Sequence, residues 1–147
     1  MLRQLLFGSL PSLTNIAIHA MAMTAVISAA RAAAAKYSSH PARRLALVMI
    51  AVVIVLMAAH VGEIAVWSLA YATTDAAPDE AESFYFAFVN FTTLGYGDVV
   101  PTPQWRLFGP MTAMNGVLLF GWSTAVMFEV LRTTLRTGSA ANRQIAD

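Results

Sequence analysis

Seven consecutive residues have the types and spacing needed to replace the water around a cation. Residues 92–98 read Thr-Thr-Leu-Gly-Tyr-Gly-Asp, with glycine at positions 95 and 97. A hard cation that sheds water needs oxygen ligands, and backbone carbonyls supply them only if successive carbonyls face one axis. An ordinary strand alternates its backbone, whereas alternating handedness aligns the carbonyls and calls for glycine where φ is positive. The segment predicts a cation site built from backbone oxygens.

A second set of residues, all ionisable, lies within otherwise apolar sequence. His60 and Glu63 are three residues apart, on one face of a helix, and His19 lies in an earlier segment. Counted from the same side of a membrane, His19 and Glu63 lie roughly 10–12 Å deep at about 1.5 Å per residue. Equal depth predicts a contact between them. A structural hydrogen bond is the favoured interpretation, and a pH sensor or a metal site are the alternatives.

The composition indicates the class of protein that must position these residues. The chain has 147 residues, of which 58% are hydrophobic and 12% charged, about half the charged fraction of soluble proteins. A soluble globular domain is therefore excluded. The net charge of +1 shows no basic patch for nucleic acid. The chain has no cysteine, and no catalytic nucleophile, general base or phosphate-binding loop is recognisable, so we predict no enzyme and no cofactor.

Apolar stretches predict an all-α membrane protein. Residues 45–72 and 107–131 are long enough to span a bilayer, which takes about 20 apolar residues. Between them, residues 83–92 are strongly apolar but too short to span, so we expect a buried or re-entrant helix. Non-helical backbone at membrane depth is tolerated only where protein or a watery cavity surrounds it, which gives this helix the task of supporting residues 93–98.

The N-terminal segment is compatible with more than one interpretation. Residues 16–35 are Ala-rich and long enough to span, with Arg31 near the end. An uncleaved span is favoured because Pro11, Thr14 and Asn15 interrupt the apolar core that a signal peptide would need. A cleaved signal peptide and an interfacial helix remain the alternatives.

Charge placement predicts the orientation in the membrane. Seven of the nine basic residues lie in or beside the linker near residues 31–44 or in the C-terminal tail. The positive-inside rule makes that side cytoplasmic, and the acidic loop between the two stronger spans then faces outward. Trp67, Tyr71, Tyr85 and Trp105 would form an aromatic belt at the outer level. The absence of cysteine and the small size suggest a bacterial inner membrane.

The order of span, short helix, residues 92–98 and span resembles the potassium-channel pore-domain family, over residues 45–132. It is most similar to small bacterial two-span pore proteins and to two-pore-domain channels. The resemblance implies a homotetramer, since one chain supplies one strand of the selectivity filter. Potassium ions would be held by carbonyls of the filter residues Thr93, Leu94, Gly95 and Tyr96, with Gly97 completing the segment.

The resemblance also implies supporting roles. Tyr85 and Asp98 stand thirteen residues apart, as a hydrogen-bonded pair behind the filter does in the family, and Thr92 precedes the filter. In the last span, Gly116 would be a gating hinge and Gly121 a close-packing site. The residues that would line the cavity are Val117, Phe120 and Thr124.

These predictions combine into one expected organisation. Residues 1–44 form an added helix and a basic linker, residues 45–132 the pore domain and residues 133–147 a short cytoplasmic tail. Glu129 is expected to pair with Arg132. The expected function is passive potassium permeation by four identical subunits in a lipid bilayer, without nucleic acid, with an unidentified partner as one source of gating. A non-conducting scaffold or regulatory subunit, or a channel gated by a partner, is the alternative.

Overall fold

The computed structural model describes residues 1–36, 41–77 and 82–144, and the regular structure within these ranges is helical. Four α-helices occur: α1 (Leu2–Lys36), α2 (Pro41–Thr74), α3 (Ser83–Phe91) and α4 (Phe108–Gln144). A single 3₁₀ turn, Pro103–Trp105, precedes α4. The all-α fold class predicted from the sequence is confirmed. Residues 78–81 of the acidic loop lie outside the described residues.

Three of the helices are long and apolar enough to cross a membrane, judged by length and composition. The qualifying segments are Leu2–Ala33, Ala42–Thr74 and Pro103–Arg136. All three exceed the predicted spans, which began at residues 16, 45 and 107. The predicted tail also differs, because α4 continues as one helix to Gln144 instead of ending at residue 131.

The first helix begins at Leu2 rather than near residue 16 because its polar residues do not interrupt it. The hydroxyls of Ser12 and Thr14 donate to the carbonyls of Gly8 and Leu10 one turn earlier, at 2.8 and 2.9 Å. Side chains that bond within the helix remain compatible with an apolar setting. The depth estimate for His19 was therefore wrong, since the residue lies well inside α1.

The chain divides into two compact units, and each long helix contributes to both. Unit 1 comprises Met1–Ala20 and Ala59–Gly121. Its core is aromatic: Trp67 and Tyr71 are fully buried, Trp105 is 5% exposed, and all three pack around Phe108. The predicted aromatic belt is thus wrong for these three residues, which fill a core, whereas Tyr85 is exposed.

The first two turns of α1 contact Trp105 and Leu107, which lie just before α4. Phe7 meets the Trp105 ring edge-on at 5.7 Å between centroids, and the Arg3 guanidinium lies 4.7 Å above that ring. The amide N–H of Leu107 donates to Gln4 Oε1 at 2.9 Å. Since the first N–H groups of a helix lack partners within it, Gln4 supplies an acceptor at the start of α4.

A left-handed residue ends α2 and turns the chain toward α3. Asp75 has φ +51°, and the N–H of Ala76 bonds to the carbonyl of Tyr71 at 3.1 Å, the closure of a Schellman motif. The N–H of Thr102 then donates to the carbonyl of Ala76 at 3.0 Å. This bond ties the segment beyond the filter to the end of α2.

Unit 2 comprises Met21–Ala58 and Trp122–Asp147. Its core is aliphatic and is formed by Met23, Val26, Val48, Val52, Leu56 and Val130. Arg44 is buried, and its guanidinium donates to the carbonyl of Thr134 at 3.0 Å. The expected pair of Glu129 and Arg132 is present at 2.7 Å; because both side chains are about half exposed, it contributes little to stability.

Candidate functional site

The short helix α3 ends in hydrogen bonds that shape residues 92–95. The N–H of Thr92 donates to the carbonyl of Phe88 and that of Thr93 to the carbonyl of Asn90, both at 3.0 Å. The N–H groups of Leu94 and Gly95 both donate to the carbonyl of Val89, at 2.9 and 3.4 Å. The C-terminal carbonyls of α3 therefore hold the start of the filter segment.

These bonds also orient the carbonyls that the segment presents. In a planar trans peptide, the carbonyl of one residue and the N–H of the next point in opposite directions. Because the N–H groups of residues 93–95 point at α3, the carbonyls of Thr92, Thr93 and Leu94 point away from it. Successive backbone oxygens are thus presented on the side of the segment opposite α3, which is the arrangement a dehydrated cation needs.

The backbone of the segment alternates in handedness. The φ angles are +61° at Thr93, +57° at Gly95 and +81° at Gly97. The positive values expected at the two glycines are present, and the one at Thr93 is additional. A β-branched residue seldom adopts this region, and such a conformation costs of order 1–3 kcal/mol. The surrounding bonds to Asn90 and Val89 hold Thr93 in this strained state.

The side-chain pair behind the segment has the expected contact. The Tyr85 hydroxyl donates to Asp98 Oδ2 at 2.6 Å. This bond to the ionised carboxylate lowers the pKa of Asp98 below its usual 3.8, and the same bond raises the pKa of Tyr85 to about 12. Both groups lie outside the three helices long enough to span a membrane, and the bond joins the first turn of α3 to the end of residues 92–98.

Gly116 and Gly121 of α4 differ in what surrounds them. A β-carbon at Gly116 would stand 2.0 Å from the carbonyl oxygen of Phe91, the last residue of α3. At Gly121, nothing lies within 4 Å of such an atom. Within one chain, the close approach is therefore made by Gly116, where the resemblance implied a hinge, and not by Gly121.

The three residues expected to line a cavity have different surroundings. Val117 is 56% exposed and Thr124 is also exposed. Phe120 is half-buried, and its ring stands edge-on to His60 and Phe91 at centroid distances of 4.7 and 5.5 Å. The structure thus brings Phe120 to the core of unit 1, while Val117 lies on the open face of α4.

The contact expected between His19 and Glu63 is present, and His60 joins it. His19 Nδ1 lies 2.8 Å from Glu63 Oε1, and His60 Nδ1 lies 2.7 Å from Glu63 Oε2. His19 and Glu63 are fully buried, and His60 is 9% exposed. One ligand atom from each of the three residues lies within 4.8 Å of the others. The set therefore has the donor types and the proximity that could hold a metal ion.

A buried amide network beside these residues was not found from the sequence. Asn15 Nδ2 donates to the backbone carbonyl of Glu63 at 3.0 Å and to Asn115 Oδ1 at 2.9 Å, and Trp67 Nε1 donates to Asn115 Oδ1 at 3.0 Å. These bonds link Asn115 of α4 to Asn15 of α1 and to Trp67 of α2. Asn15 stands four residues before His19, on the same face of α1. This spacing could have predicted from the sequence that Asn15 lies beside the buried histidine.

Comparisons with known proteins give one finding. The sequence profile of a family described as "ion channel" matches residues 46–133. Comparison with curated proteins and with solved structures gives no match. The matched region runs from the start of α2 into α4, and it contains α3 and residues 92–98.

Proposed function

Because the chain belongs to the ion channel family, we propose that this multi-pass membrane protein is one subunit of a homotetrameric potassium-selective channel. The observation that carries the proposal is the alternation of positive φ at Thr93, Gly95 and Gly97. Combined with the bonds of residues 93–95 to α3, it supports a row of carbonyls available to an ion. The proposed ligands are the carbonyls of residues 93–96 and the Thr93 hydroxyl.

The exposure of the proposed filter segment supports assembly with further copies of the chain, and the proposed number of four follows the resemblance to potassium-channel pore domains. Leu94 is 54% and Tyr96 68% exposed in one chain, although filter side chains must be packed to keep a ring of carbonyls in place. One chain also supplies only one side of each ring. Three further copies around an axis would cover these side chains and complete the oxygen ligation, within the lipid bilayer that surrounds the apolar helices.

The proposed mechanism is passive and needs no covalent chemistry. A potassium ion exchanges water for carbonyl oxygens, and ions in neighbouring sites displace one another along the axis. The end of α3 holds residues 93–95, and the bond from Tyr85 to Asp98 braces the outer end. In the proposed orientation the basic linker and the C-terminus are cytoplasmic, so Asp98 lies at the outer mouth.

Flux of K⁺ and Na⁺ into liposomes containing the purified protein tests this proposal. Gly95→Ala is the decisive variant, because alanine at φ +57° is disfavoured by roughly 1–2 kcal/mol although an added β-carbon meets nothing within 4 Å in the chain. We expect K⁺-selective flux in the native protein and loss of selectivity or of flux in Gly95→Ala.

Gly62→Ala is the matched control. Gly62 lies in the interior of α2, and an added β-carbon there also meets nothing within 4 Å. Since its φ is not positive, this variant should keep selective flux. Equal permeation of K⁺ and Na⁺ by the native protein would contradict potassium selectivity, and an absence of flux from a verified tetramer would favour the scaffold or partner-gated alternative.

A further inference from the structure

The triad of His19, His60 and Glu63 lies apart from the filter segment and has no part in the proposed permeation. It joins two helices, since His19 belongs to α1 and the other two residues belong to α2. Both imidazoles approach the same carboxylate through Nδ1, at 2.8 and 2.7 Å. Each carboxylate oxygen thus has one imidazole nitrogen, and the two rings stand 5.5 Å apart between centroids.

Charge is the first argument that this triad binds a cation. Glu63 is fully buried in a helix apolar enough to span a membrane, where an unneutralised carboxylate is costly. Among the described residues, Glu63 forms ion pairs with His19 and His60. A divalent cation held between the two imidazoles and the carboxylate would compensate this negative charge.

Donor chemistry is the second argument. Two imidazole nitrogens and one carboxylate form a ligand set that zinc accepts, with a fourth position for water or another donor. At metal–ligand distances of about 2.1 Å, tetrahedral ligands stand about 3.4 Å apart. The observed contacts of 2.7 and 2.8 Å would need to open by only about half an ångström to admit the ion.

The neighbouring amide network contains a buried oxygen that accepts no hydrogen bond. Asn15 is fully buried, and its Oδ1 is among the buried side-chain atoms of the described residues that lack a hydrogen-bond partner. The amide is held in place by its donor side, which bonds to the backbone of Glu63 and to Asn115. Asn15 thus leaves one oxygen acceptor unused one helical turn from His19.

From these observations we propose that His19, His60 and Glu63 bind one divalent transition-metal ion per chain, with Zn²⁺ as the best match to the ligand set. The ion replaces the protons shared between the imidazoles and the carboxylate, and it links α1 to α2.

This site is placed to influence conduction, an extension that rests on the proposed channel function. The His60 ring contacts Phe120 of α4 at 4.7 Å and approaches Phe91, the last residue of α3, at 6.1 Å between centroids. Drawing the His60 imidazole onto a metal changes its packing against both rings. We therefore expect metal occupancy to alter ion flux through the channel, because His60 packs against Phe120 of α4 and Phe91 of α3.

The binding test needs no conduction. Tag-free protein in detergent is stripped with a chelator, dialysed against Zn²⁺ and analysed for bound metal, and Co²⁺ is used as a spectroscopic probe. We expect about one Zn²⁺ per chain, a higher unfolding temperature with Zn²⁺, and a visible Co²⁺ spectrum typical of nitrogen and oxygen ligands. His19→Ala and His60→Ala should weaken binding by at least about tenfold.

Two variants control this experiment. His40→Ala removes the remaining histidine of the chain, at a position outside the described residues, and should keep full binding. Glu63→Gln keeps the side-chain size and removes the charge, so it should weaken binding while its unfolding transition in chelator shows that it folds.

Three outcomes would count against these proposals. Failure of the native protein to take up a stoichiometric ion would overturn the metal site, as would an equal loss of binding in His40→Ala. Bound Zn²⁺ without any change in K⁺ flux would overturn the coupling to Phe120. A protein that binds Zn²⁺ but never conducts would contradict the channel proposal and leave the metal site standing.

Discussion

At the scale of single residues, the molecule depends on polar groups whose partners are specific. Glu63, Asn115 and Asp98 each accept hydrogen bonds from identified donors. Within the apolar helices such bonds matter more than their number suggests, because an unpaired buried polar group costs about 1–3 kcal/mol. The pair of Tyr85 and Asp98 is different, since both groups are exposed and can exchange their bond for water.

The bond between Tyr85 and Asp98 should stabilise the protein in a defined pH range. It requires an ionised Asp98 and a protonated Tyr85. Its contribution is present above pH 3.8 and is lost as the pH falls through the lowered pKa of Asp98. At the alkaline end it is lost as the pH rises through the Tyr85 pKa of about 12. Thermal unfolding of the native protein and Tyr85→Phe should therefore differ by a constant amount from about pH 5 to about pH 9.

A double-mutant cycle checks that this difference comes from the bond. Asp98→Asn and the double variant with Tyr85→Phe are measured under the same conditions. The two single effects should not add, because each variant alone removes the same contact. Strictly additive effects at neutral pH would show that the bond contributes nothing.

At the scale of elements, the contact of α4 with the end of α3 decides how the filter segment is supported. Gly116 lets the backbone of α4 approach the Phe91 carbonyl, while α3 holds residues 93–95 through the carbonyls of Val89 and Asn90. Movement of α4 at this point would therefore reach the filter segment through α3. The resemblance assigned Gly116 to a hinge, and the close contact gives a separate reason for glycine there.

Alanine at Gly116 and alanine at Gly121 should have opposite effects on the free energy of unfolding. Gly116→Ala forces a β-carbon against backbone at 2.0 Å, and we expect a loss of about 1–3 kcal/mol or more in the free energy of unfolding. Gly121→Ala meets open space in the chain and should be neutral or up to about 1 kcal/mol stabilising, since alanine favours helix. Thermal unfolding in detergent measures both. Equal destabilisation by Gly121→Ala would indicate that Gly121 packs against another subunit.

At the scale of the whole molecule, the proposed filter segment and the residues after it leave large apolar side chains exposed in a single chain. Tyr96 is 68% exposed and Val100 62%, whereas six aromatic side chains of unit 1 are buried together in one core. A membrane lipid would not be expected beside a row of carbonyls that binds ions. In the proposed channel, other copies of the chain would cover these apolar side chains and complete the oxygen ligation of the ion.

We therefore expect a tetramer in solution. Native mass spectrometry of the detergent-solubilised protein should give a mass near four times the 15.8 kDa of the chain. Gly95→Ala should give the same mass, because the substitution changes the conformation of the filter and not the helices. A monomer or dimer as the main species, at concentrations that conduct K⁺, would contradict the fourfold arrangement.

The sequence by itself determined the features that depend on local composition and spacing. Long apolar runs predicted α2 and α4, and glycine at alternate positions predicted positive φ at Gly95 and Gly97. The bond from Tyr85 to Asp98 was implied by the resemblance to the potassium-channel pore-domain family. These features follow from properties of neighbouring residues or from a motif of fixed spacing. The contact of His19 with Glu63 was also predicted, although the helix start assumed for it was wrong.

Only the tertiary structure decided which residues meet across helices. The bonds from Asn15 to Glu63 and Asn115 join positions 48 and 100 residues apart, and no local pattern specifies such a pairing. The same holds for the burial of Trp67 and Trp105 and for the closeness of Gly116 to Phe91. Each of these depends on how two surfaces pack, which is set by the shapes of side chains on different helices and not by the periodicity of either one.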